Sequence, residues 1–134
     1  MCLTSLPSFV KQLDSVCHLK VQQVKNDLIL QGSQVYICNL ITHLSFTRQQ
    51  FSFHQHELNT GRYNPDINQL FSSVANNNSQ IKIMAIILTG IGDDGVEGMK
   101  LLSAQGVHCI AESSRSAIVD GMPHQARTQI ENIE

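Results

Sequence analysis

The sixteen residues from Met84 to Met99, MAIILTGIGDDGVEGM, limit the possible folds of this chain more than any other stretch. An apolar run (Ile83, Ala85, Ile86, Ile87, Leu88) stops at Thr89-Gly90-Ile91-Gly92-Asp93-Asp94-Gly95, and a helical pattern follows at once. Strand, glycine-rich turn and helix in that order describe an α/β domain with a site at the carboxyl end of a buried strand. Asp93 and Asp94 fall on the turn, where catalytic and ligand-binding groups gather. The glycines allow positive φ and close backbone approach, and a following helix start offers free N–H groups and positive potential. A carboxylate in that position has two readings, a helix cap or a functional group. A nucleotide loop fits poorly. Gly-x-x-x-x-Gly-Lys-Ser/Thr is absent, and Gly90-x-Gly92-x-x-Gly95 puts acids where they would repel a pyrophosphate.

The chain is 134 residues long, the size of one modest domain with its own core, and residues 1–134 read as a single unit. A hydrophobic share of 42% against 15% charged residues suits a globular protein. The net charge of −2 and pI near 6.3 give no basic surplus for nucleic acid. The apolar runs are too short to span a bilayer, and MCLTSLPSFVKQL lacks the form of a secretory signal. Cys2, Cys17, Cys38 and Cys109 form no Cys-x-x-Cys pair, so reduced thiols in a cytoplasmic protein are expected.

Along the chain, Phe9, Val10, Leu13 and Val16 recur at helical spacing and predict a helix over 8–16. Partial alternation predicts a strand over 18–24, an extended piece over 27–30 and a buried strand over 35–38. Leu44, Phe46, Phe51 and Phe53 alternate with polar residues around Thr47 to Gln50, which predicts a hairpin with one wet face. Glu57 to Asn64 reads as loop. Pro65-Asp66 opens a helix whose buried stripe is Ile67, Leu70, Phe71 and Val74. A further helix buries Val96, Met99, Leu101 and Leu102 and stops at Gly106. A short strand over 107–111, a polar loop and a last helix from Pro123 complete the pattern.

Outside the glycine turn, the candidates are sparse. His54 and His56 share a strand face beside Glu57, but no third metal ligand on another element is evident. His43 follows the Val35 strand, where loops gather, and reads equally as a surface residue. Arg115 and Arg127 are candidate contacts for an acidic partner or simply solvated. No Gly-x-Ser-x-Gly elbow marks a nucleophile.

Ile86 to Gly95 with Gly98-Met99 resembles the Leu-Thr-Gly-x-Gly-x-Asp-Gly block of the bacterial chemotaxis protein-glutamate methylesterases. Other segments are similar in order and spacing. They are Val35-Tyr36-Ile37 with His43, Pro65 to Ala75 (PDINQLFSSVA), Ser116 to Pro123 (SAIVDGMP) and Ser8 to Val21. The resemblance implies a doubly wound, mostly parallel α/β sheet flanked by helices, with a β-hairpin and with its first strands missing. It implies hydrolysis of glutamate methyl esters, and deamidation of glutamine, on the cytoplasmic helices of methyl-accepting chemoreceptors. The implied catalyst is a serine–histidine–aspartate triad without cofactor or metal. Asp94 takes the aspartate's position, and the backbone N–H of Ile91 the oxyanion position.

The resemblance also places the serine, in a Ser-Thr-Gly-Gly turn, and the histidine, in a Gln-His-Met-Pro segment, before the part matched here. The chain alone is therefore expected to be nearly inactive. A receiver domain is a further expected partner in a longer protein. The alternative expectation is a degenerate receptor-binding module without chemistry. Asn39-Leu40 replaces the family's Pro-Gly, Asn68 replaces an acid, and Asp120 replaces an aromatic residue before Gly-Met-Pro.

Overall fold

The computed structural model describes residues 4–56, 61–63 and 65–134. The expected loop over Glu57 to Asn64 falls largely outside them, as do Cys2 and Glu57. The first helix, α1 (Leu6–Val16), begins two residues before the predicted start because Pro7 is accommodated in its first turn. Asp14 of α1 accepts a hydrogen bond of 2.7 Å from the Val21 N–H and so ties the helix to β1 (Lys20–Gln23). β2 (Leu28–Ile29) and β3 (Gln34–Ile37) follow, and β3 runs parallel to β1 with Val21 opposite Val35. β3 is half-buried along its length, where the sequence predicts a buried strand. It pairs only with β1 among the described residues, so a sheet of two strands cannot enclose it.

β4 (Ile41–Thr47) and β5 (Gln50–His56) form the predicted hairpin, and β2 adds to the outer edge of β5. His43 lies inside β4 rather than on a loop. Leu44, Phe46, Phe51 and Phe53 share one face of the ribbon, and His43, Ser45, Ser52 and His54 share the other. The connection is a two-residue turn, with Arg48 at φ 51° and Gln49 at φ 66°. Both are left-handed, which hairpins favour for its twist but which side chains resist. Replacing Arg48-Gln49 by Asn-Gly is expected to stabilise the chain by about 1 kcal/mol, read as a higher urea midpoint at unchanged slope.

α2 (Ile67–Ala75) starts after its N-cap, Asp66, which accepts from the Gln69 N–H at 3.1 Å. β6 (Met84–Ile87) and β7 (His108–Ala111) make a second parallel pair, with α3 (Val96–Ala104) between them in sequence and α4 (Met122–Gln129) after them. Ala85, Ile87, Met99, Leu102, Cys109 and Ala126 are buried together in one core, with Phe71 and Val74 of α2 packed against it. Leu101, expected in that core, is half exposed, because it projects from the outer side of α3. The strand ahead of the glycine turn is likewise buried on one face only. Ala85 and Ile87 face the helices, whereas Met84 (60% exposed), Ile86 and Leu88 face solvent. The outer edge of β7 is covered by the end of the chain. The Ala111 N–H donates to the Glu134 carbonyl, and the Glu134 N–H donates to the Cys109 carbonyl. Covering an edge in this way blocks further pairing.

Candidate functional site

The glycine turn is built as its residues require. Gly92 and Gly95 sit at φ +86° and +84°, where a Cβ would be strained. Gly95 is the N-cap of α3 and offers no side chain to the helix start. Asp94, next to it, is 6% exposed, and its hydrogen bonds reach across to another helix. Its carboxylate accepts from the backbone N–H groups of Ile67 (3.0 and 3.1 Å) and Asn68 (3.3 Å), at the first turn of α2. Together with Asp66 it satisfies the first three N–H groups of that helix. Asn68 returns the favour, since its Oδ1 accepts from the Gly98 N–H in the first turn of α3 (2.8 Å). The two helix starts therefore cap each other across the site.

Two opposing influences act on Asp94. Burial pushes its carboxyl above the ordinary value of 3.8, whereas the Ile67 and Asn68 N–H groups pull it down and the neighbouring Asp66 charge pushes it up; the net direction is upward. Asp93 has a different setting. It is near the surface, accepts from the Tyr63 hydroxyl (2.7 Å) and pairs with Arg62 at 3.2 Å. The Tyr63 hydroxyl leaves no room for a Cβ on Gly92. Ile91, on the outer bend of the turn, is 82% exposed.

A second loop closes on the turn. The Gly90 N–H donates to the Val119 carbonyl, the Met122 N–H donates to the Gly90 carbonyl, and the Val119 N–H donates to the Thr89 hydroxyl. Gly121 packs so tightly on Gly90 that a Cβ there would lie 2.7 Å from the Gly90 carbonyl oxygen. Asp120 makes a two-armed ion pair with Arg127 at 2.7 and 2.8 Å. Arg127 also donates to the Glu112 carbonyl. Arg127 is thus held within the chain, whereas Arg115 is exposed.

The hairpin histidines lie apart from this turn in sequence and serve other contacts. Among the described residues no group of three His, Cys, Asp or Glu side chains is placed to hold a metal. The His43 and His56 rings meet edge to face at 5.1 Å. His54 has its Nδ1 3.0 Å from Asp27 Oδ2 and its Nε2 2.8 Å from Ser45 Oγ. Sequence reading missed Ser45 and Asp27. The signal for them is strand register, which no single segment reveals.

A mixed α/β fold with a buried acid on a glycine turn beyond a parallel strand defines an α/β domain with a strand-end site. Residues 3–132 match the CheB methylesterase family, and the chain belongs to it. The protein-glutamate methylesterase/protein-glutamine glutaminase of Methylobacillus flagellatus is 34% identical over 123 residues, which cover 89% of this chain and 34% of that protein. That of Caldanaerobacter subterraneus is 36% identical over 124 residues, again 34% of its length. The chain spans about a third of these curated relatives. The catalytic domain of Thermotoga maritima CheB methylesterase has the same fold, with a TM-score of 0.88 at 23% identity. The match covers 99% of this chain and 72% of that one. No helix among the described residues is long and apolar enough to cross a membrane.

Proposed function

We propose that this chain is the carboxyl-terminal part of a methylesterase catalytic domain that hydrolyses glutamate methyl esters on the cytoplasmic helices of chemoreceptors. Deamidation of glutamine would follow the same acyl chemistry. The observation that carries the reading is Asp94. A buried carboxylate, fixed by two backbone N–H groups on a rigid glycine turn, suits the triad acid that orients a histidine and stabilises its charged form. The backbone N–H of Ile91 is assigned to the oxyanion, and neither cofactor nor metal is required.

The Ser-Thr-Gly-Gly and Gln-His-Met-Pro motifs do not occur in these 134 residues. Without the serine and histidine of those two motifs, only residual methylesterase rate from binding and the oxyanion hole remains. The exposed face of Met84, Ile86 and Leu88 suits the packing of the further strands and helices that complete the domain in longer proteins. The reading places the protein in the cytoplasm, with a receiver domain as a regulatory partner in the longer form.

Methanol release from a methylated receptor fragment tests this. The chain alone should release almost none. Fused behind a segment supplying the serine and histidine, it should turn over, and Asp94→Asn should then lower kcat by about 10⁴-fold. Turnover by the fusion that Asp94→Asn leaves intact would refute the assignment. The binding-module reading has one observation in its favour. Ile91 and Ile118, on the two loops that close together, are 82% and 91% exposed, as an apolar docking lip would be. Receptor capture without turnover by the fusion supports that reading.

A further inference from the structure

The ribbon of β2, β5 and β4 brings a serine, a histidine and an aspartate into the order that general-base catalysis uses. The register dictates this arrangement. His43 stands opposite His54, so Ser45, two residues along the same face, is diagonal to His54. On the other side Leu28 stands opposite Phe53, so Asp27 comes level with His54 across the neighbouring strand. The histidine in the middle strand therefore meets the hydroxyl through Nε2 (2.8 Å) and the carboxylate through Nδ1 (3.0 Å). The second oxygen of Asp27 accepts from the Gln55 N–H at 3.2 Å, which fixes the carboxylate. These two contacts, His54 first, hold the Asp27 carboxyl below its ordinary range and keep it anionic. An anion on Nδ1 leaves the lone pair on Nε2, facing Ser45, as base.

We propose that Ser45 is a nucleophile, activated by His54 and Asp27, that accepts acyl groups from small aryl esters. The substrate class follows from the setting. His54 and Asp27 are 42% and 66% exposed, so the reaction proceeds in water and needs a leaving group that departs without a proton. In the first step Ser45 Oγ bonds to the acyl carbon, its proton passes to His54 Nε2, and the bond between the acyl carbon and the aryl oxygen breaks to release phenolate. His54 then loses that proton to solvent. Water next adds to the acyl carbon and gives a proton to His54. The acyl–Ser45 bond breaks, the hydroxyl regains that proton, and the carboxylic acid leaves.

The inference stands on the hairpin alone and does not depend on the role of Asp94. Its test treats the 134-residue chain with p-nitrophenyl acetate and, separately, a fluorophosphonate, and maps adducts by peptide mass spectrometry. Both reagents should modify Ser45, at a rate that rises as an imidazole loses its proton. His54→Gln should slow the modification by about a hundredfold, and Ser52→Ala, on the same face, should leave it unchanged. Absence of a Ser45 adduct, or an adduct that forms as fast in His54→Gln, overturns the proposal. Should His54→Gln fail to fold, the wild-type profile decides, and Ser45 modification without an imidazole step overturns it.

Discussion

Asp94→Ala is expected to lower the stability of the chain by about 3 kcal/mol, measured by urea unfolding at neutral pH. The substitution strips the Ile67 and Asn68 N–H groups of a charged acceptor in a buried setting, beyond the reach of replacement by water. Asp94→Asn should cost far less, about 1 kcal/mol or under, since an amide oxygen still accepts and the buried charge is gone. The pH dependence separates the two contributions. Burial raises the Asp94 carboxyl in the folded chain, so folding favours its protonated form. Its contribution is therefore complete below the unfolded value of 3.8 and is lost as pH rises through the raised folded value. Relative to Asp94→Asn, the wild-type chain should gain stability as pH falls through that window. Equal losses in the two variants at neutral pH would sink the capping account. The sign also matters for the proposed chemistry. A triad acid that must stay ionised is held here at a cost in stability, which a cationic histidine beside it would offset.

Gly98→Val is expected to cost about 3 kcal/mol, by the same measurement. Gly98 sits where α3 crosses α2, and a Cβ there would lie 2.5 Å from the Phe71 Cβ and 3.1 Å from the Asn68 carbonyl oxygen. The helices can separate only by breaking the Asn68–Gly98 hydrogen bond and drawing the α2 start away from Asp94. Phe71→Ala should not rescue the variant, because the obstructing atom is the Cβ that alanine retains. Rescue by Phe71→Ala would place the clash in the ring and refute this account of the crossing.

Local patterns carried much of this fold in the sequence. The 2-residue alternation of Leu44, Phe46, Phe51 and Phe53 predicts the hairpin, and Pro65-Asp66 marks the start of α2 within a residue. The glycine turn announces itself because Gly92 and Gly95 occupy positions that only glycine takes readily. What stayed hidden depends on residues distant in the chain. Asp94 could be read as a cap for the helix that follows it. Its partners on α2 lie 26 and 27 positions earlier, and no local spacing points to them. Ile86 and Leu88 look like core in an apolar run, yet lie bare, because burial depends on what packs on each face of β6. The Ser45–His54–Asp27 relay needed two strand registers at once.

The mutual capping of α2 and α3 has a consequence for motion. Neither helix start can fray alone, since loosening α2 frees Asp94 and Asn68, and loosening α3 frees the same pair. The amides of Ile67, Asn68 and Gly98 should then exchange with solvent through one shared opening. The first turns of two separate helices become a single unfolding unit clasped around the acid.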